Sequence, residues 1–239
     1  MPQRRAVASH AALLALLLAL PQATALAAPM DVTLGFASLP SAQGWTYVPS
    51  GAHAGVLESS VFSVGGGLLT QNTMGLSNGV SGGSILYQIT GGLTTTETKQ
   101  IIVRVRCLEA EGSAGAPSGE GGLYFIFAHG SVQYGFGLTP TRIFKLQSTT
   151  VLPPGTYDNT QFHDYTFAWT PPGNFTLYRD GVAIHSGSGG FSLGVNRIAF
   201  GDGTGGANAR AEISYYRFIQ DNPVPALSTT WGRLKGLYR

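Results

Sequence analysis

QFHDYTFAW (161–169), the Pro171-Pro172-Gly173 break, NFTLYRDGVAIHSG (174–187), a Gly-rich interval, NRIAFGDG (196–203) and ARAEISYYRF (209–218) follow one another in the C-terminal half of this chain. Each piece is short, rich in Tyr, Phe, Val and Ile, and closed by Gly, Pro, Asn or Asp. Antiparallel strands joined by tight turns read this way. Asp180-Gly181 supplies the positive φ that a two-residue hairpin connection requires.

The same rhythm runs upstream through DVTLGFA (31–37), WTYV (45–48), FSV (62–64), LLT (68–70), GSILYQI (83–89), IIVRVRCL (101–108), GLYFIFAHG (122–130), VQYGFGLT (132–139) and RIFKLQ (142–147). No long stretch past the N-terminal region keeps a helical period, and 34 glycines with 13 prolines would interrupt one. The expectation is about thirteen strands in an all-β, two-sheet antiparallel jelly-roll sandwich with Greek-key connections.

Alternation assigns faces within three of these strands. Ile101, Val103, Val105 and Cys107 share one face of theirs, and Ile102, Arg104 and Arg106 share the other. The segment 123–128 is apolar on both faces, as expected of a central strand covered on both sides. Its neighbour sets Val132, Tyr134, Phe136 and Leu138 against Gln133, Gly135 and Gly137, so the second face is small and polar. Missing side chains there would either admit a ligand to the backbone or accommodate twist. Arg104, Arg106, His129 and Gln133, expected on adjoining strands, are the ligand-binding candidates; Trp45, Tyr47, Tyr87, Tyr134, Tyr215 and Tyr216 are candidate stacking platforms for a sugar.

Composition bounds the function. Arg4 and Arg5 precede an apolar run from Ala11 to Leu20, with small residues at Ala25 and Ala27, as in a secretory signal peptide over residues 1–27. The run is too short for a stable membrane span, so a secreted or cell-surface chain is expected, with one domain over residues 30–221. Without that leader the acidic and basic residues balance, and the body before the tail carries no basic cluster, which argues against a nucleic-acid partner. The lone Cys107 cannot form an internal disulfide and reads as a small buried hydrophobe. Residues 222–239 change to an extended Pro/Ser/Thr linker and a short basic, aromatic end.

The strand order resembles the concanavalin A-like lectin/glucanase (laminin-G-like) jelly rolls: His163-x-Tyr165, then Leu177-Tyr178-x-Asp180-Gly181 in a hairpin, then Ile198-x-x-Gly201, then a closing strand with Glu212 near its start. That resemblance implies a glycan or cell-surface polysaccharide as partner. The tail string VPALSTTWG (224–232) resembles the start of a bacterial C-terminal sorting signal, without the apolar helix that should follow. The glucanases' Glu-x-Asp-x-x-Glu string is absent; the close acidic pair Glu109 and Glu111 is expected where a strand dissolves into the loop 110–121, and is read as solvated. GTYDNTQ (155–161) is similar to one alginate-lyase strand but lacks its companions, and no G-x-S-x-G elbow occurs. No metal site is assigned; one Cys and scattered His are too few soft ligands for structural zinc, and calcium at GDGTGGAN (201–208), through Asp202 and Asn208, is the cofactor candidate. The expectation is a secreted, non-catalytic carbohydrate-binding or adhesive module with no catalytic residues. The alternatives are a structural cell-surface interaction protein without a sugar site and a divergent polysaccharide-cleaving enzyme.

Overall fold

The computed structural model describes residues 29–76, 83–112, 122–146, 149–152, 155–192, 194–203 and 206–221. The expected leader, most of the acidic loop and the tail lie outside the described residues. Two eight-stranded antiparallel sheets carry the fold. The first holds β1 (Met30–Leu34), β3 (Phe62–Gly65), β4 (Leu68–Asn72), β6 (Thr98–Gly112), β11 (His163–Thr170), β12 (Asn174–Arg179), β13 (Val182–Ser188) and β16 (Ala207–Asp221). The second holds β2 (Thr46–Gly51), β5 (Gly83–Thr90), β7 (Leu123–His129), β8 (Val132–Leu138), β9 (Ile143–Lys145), β10 (Thr149–Leu152), β14 (Phe191–Ser192) and β15 (Arg197–Asp202). Among the described residues, helix is limited to single turns at Pro40–Gln43 and Glu58–Val61.

The spatial orders, β13-β12-β11-β6-β16-β4-β3 and β10-β9-β8-β7-β15-β5-β2, interleave strands distant in sequence, so the chain crosses between layers repeatedly. This is a jelly roll. β16 is long enough for β4 to pair its first half and β1 its second, both on the edge that faces away from β6. The β12–β13 hairpin turns at Asp180 and Gly181 with φ of 50° and 78°, the positive values expected of that pair.

Between the layers lies one continuous apolar core. Ile101, Val103, Val105 and Cys107 of β6 meet Phe125, Phe127, Phe136 and Phe200 from the opposite sheet. Trp45 packs edge-on to both Phe200 and Tyr216, at 5.1 and 5.4 Å between ring centres. Cys107 is fully buried and its thiol is pushed up to about 12 by desolvation, so it is a packing residue.

Two features depart from simple alternation. β16 carries an irregularity between Ile213 and Tyr215, so that Ile213, Tyr216 and Phe218 all join the core although they differ in parity. β6 runs on to Gly112, so Glu109 and Glu111 stand within a paired strand and not at a frayed end. Glu109 pairs with Arg210, and Glu111 accepts from the Gly75 amide at 2.6 Å and the Asn208 side chain at 2.8 Å.

Candidate functional site

The four residues singled out from sequence do not come together. Arg104 and Arg106 lie on β6, in the first sheet, whereas His129 and Gln133 lie on β7 and β8 in the second. The strands expected to adjoin are in different layers, because the chain crosses between sheets after β6. On the outer face of the first sheet Arg104 pairs with Asp164 at 3.1 Å and Arg106 with Glu212 at 2.7 Å. Both guanidinium groups also lie over the Phe162 ring. Arg210–Glu109 and Arg217–Asp31 continue this face as a lattice of internally compensated charges.

The candidate platforms divide similarly. Trp45, Tyr87, Tyr134 and Tyr216 are buried in the core. Tyr47 is half-buried with its hydroxyl donating to the Val56 carbonyl, and Tyr215 is half-buried on the outer face of β16.

The second sheet has a different electrostatic character. Its eight strands contain three full charges, Lys145, Arg197 and Asp202. The Lys145 ammonium donates to the Ser188 carbonyl at 3.0 Å and lies over Phe175. Asp202 is buried, with its carboxylate accepting from Thr73 at 2.6 Å. With Ile198 and Phe200 of β15 in the core, alternation sends Arg197 and Ala199 to the outer face.

There Arg197 donates from Nη1 to Gln88 Oε1 at 2.9 Å and from Nη2 to Gln133 Oε1 at 3.5 Å. No carboxylate pairs with it among the described residues, and its Nε is buried without an acceptor among them. Burial holds the guanidinium below its ordinary pKa, with no neighbouring anion to offset the cost. Register explains the reach: Arg197 and Gln133 both stand opposite Ala128, whose methyl group leaves the space across β7 free. Gln88 is opposite Ala199 on the other side.

Beyond this polar row the outer face becomes apolar, with Leu86, Tyr124, Ile126 and Ala199 in a second buried cluster against Leu146. The glycine face of β8 is filled at this end. A Cβ on Gly135 would stand 2.1 Å from the Phe125 carbonyl oxygen, and one on Gly137 would meet the Tyr124 ring at 2.8 Å. Those glycines serve close packing, and Gln133, next along this face, is itself largely buried. A separate narrow cleft, walled by Tyr134, Phe167, Phe175 and Phe191, opens beside β8 and has room for about one water molecule, far less than an ordinary ligand pocket.

His129 points into the sandwich, not outward. Phe125 and Phe127 precede it on the core face of β7, and its ring lies 4.8 Å from Trp169 and 5.3 Å from Tyr134. Neither imidazole nitrogen has a partner among the described residues. Fully buried Lys99 lies over the same Trp169 ring at 4.7 Å and donates to the Glu97 carbonyl at 2.8 Å. Desolvation, then the Lys99 charge, brings His129 down to about 4, and desolvation brings Lys99 down to about 8 despite Glu97. Among the described residues no group of three or more His, Cys, Asp or Glu side chains could hold a metal ion. The Thr204–Gly205 part of the calcium loop lies outside the described residues.

No protein-family model matches this chain, and no curated protein matches it. Solved structures do. A Bacillus licheniformis β-glucanase aligns over 79% of this chain and 97% of its own at 13% identity and a TM-score of 0.49. The κ-carrageenase of Pseudoalteromonas carrageenovora, solved with an oligotetrasaccharide of κ-carrageenan, aligns over 83% and 98% at 10% identity and 0.44. The binding domain of botulinum neurotoxin DC, in complex with SialylT, aligns over 73% of this chain and 42% of its own at 12% identity and 0.42. Likeness of this degree concerns the arrangement of strands and not the chemistry they carry. The expectation of a non-catalytic chain finds no support there, since glycan-cleaving enzymes stand among the similar structures. The protein is an all-β, two-sheet antiparallel sandwich of the jelly-roll type.

Proposed function

We propose that this is an exported carbohydrate-binding protein whose recognition surface is the outer face of the second sheet, centred on Arg197, Gln88 and Gln133. One observation carries the reading: a guanidinium free of any carboxylate partner among the described residues is held between two side-chain amides on an alanine floor. Amides and guanidinium groups offer the directed donors and acceptors that fix sugar hydroxyls. The opposite face supports this choice by contrast, since its arginines are engaged in ion pairs. The solved structures containing an oligotetrasaccharide and SialylT are consistent with glycan recognition on this architecture. Export rests on the leader-like residues 1–27.

The test is retention of the purified chain on immobilised laminarin, galactan and polygalacturonate, with reducing-sugar release followed in parallel to detect cleavage. Saturable retention by at least one, weakened in Gln88→Ala and Gln133→Ala while the melting temperature holds, is the expected result. Retention unaffected by both substitutions would move the surface elsewhere, and no retention on any support would remove the reading.

A further inference from the structure

We infer that the saccharide bound at this face is acidic, carrying a carboxylate or sulfate that pairs with Arg197; the inference rests on the carbohydrate reading above and gives it a ligand class. The argument begins with charge. On the first sheet's outer face the cations Arg104, Arg106, Arg210 and Arg217 each have a carboxylate within salt-bridge distance. On the second, the strands supply a single outward charge, Arg197, because Asp202 is buried against Thr73 and Lys145 is turned to Ser188 and Phe175. A partly buried guanidinium cannot shed its proton, and burying it uncompensated is costly.

The partners it does have are neutral. Gln88 and Gln133 each accept one N–H, leaving three of the five guanidinium donors without acceptors among the described residues. A planar fork with spare donors matches a carboxylate or sulfate better than a hydroxyl, and charge-assisted bonds of this type are about twice as strong as neutral ones. The two glutamines fix the plane of the fork before the ligand arrives, so little ordering entropy remains to be lost on binding. Ala128, which stands opposite both Arg197 and Gln133, puts only a methyl group between them.

Affinity electrophoresis in gels containing polygalacturonate, dextran sulfate, dextran or laminarin tests this. The intact protein should be retarded by polygalacturonate or dextran sulfate and not by dextran. Arg197→Gln should weaken that binding about 10- to 100-fold, as loss of a charged hydrogen-bonded contact does. Arg197→Lys should recover only part of it, and Lys145→Gln should leave it unchanged. Retardation by polygalacturonate alone identifies a carboxylate ligand, by dextran sulfate alone a sulfate, and by both a shared anionic determinant. Equal retardation by laminarin, or acidic binding indifferent to Arg197→Gln, overturns the inference while leaving carbohydrate binding in place; no retardation in any gel overturns both. Unchanged far-ultraviolet dichroism of the variants excludes misfolding as the cause.

Discussion

Replacing His129 by Phe should make this protein markedly less sensitive to acid. The imidazole sits on the core face of β7 and is only 5% exposed. Around it stand Phe127, Tyr134, Trp169 and the Lys99 ammonium, with Glu97 beyond Lys99. Its folded-state pKa is about 4 against an ordinary 6.5. The unfolded chain therefore binds the proton more readily, and stability falls as pH drops from about 6.5 to about 4, levelling off below that. Linkage over this window, from pH 7 down to about 4.5, amounts to about 2 kcal/mol from this one group. Phe preserves the ring contacts and cannot be protonated. Urea titrations of both proteins at the two pH values isolate the effect, because every other group titrates in both. The wild type should lose about 2 kcal/mol more than His129→Phe on acidification. Equal losses would mean that His129 is not desolvated in the folded state and would refute the packing described for it.

Arg104→Ala with Arg106→Ala should leave saccharide binding unchanged and cost about 1 kcal/mol or less for the exposed Arg104–Asp164 pair, with more from the half-buried Arg106–Glu212 pair, read by retention and thermal melting. Gly135→Ala should lower stability by about 3 kcal/mol or more, since its Cβ would overlap the Phe125 carbonyl at a φ of 142°. Gly181→Ala, with nothing within 4 Å and a φ of 78°, should cost only about 1 kcal/mol, and chemical denaturation compares the two. Cys107 should resist iodoacetamide at pH 8 in the folded protein and react once urea unfolds it, because burial holds the thiol near 12; labelling without denaturant would contradict its placement.

Much of the architecture was legible in the residues themselves. Alternation is a local property, so Ile101, Val103, Val105 and Cys107 could be assigned to the core, and 123–128 to a strand covered on both faces, without knowledge of their neighbours. The Asp180-Gly181 turn likewise follows from the φ values those residues tolerate. Gln133 was reachable as a polar residue on a glycine-lined face. Arg197 was not reachable in this way, because its lack of a carboxylate partner among the described residues depends on which strands adjoin β15. Only the tertiary arrangement decided which charges are compensated. Asp164 neutralises Arg104, and Glu212 neutralises Arg106, across strand pairs set by long-range register, and the irregularity near Ser214 exchanges the faces of β16 midway. Faces follow from a period of two along one strand, whereas ion pairs and sites need two or three strands to meet. That meeting is fixed by sheet order, which places β6 in one layer and β7 and β8 in the other.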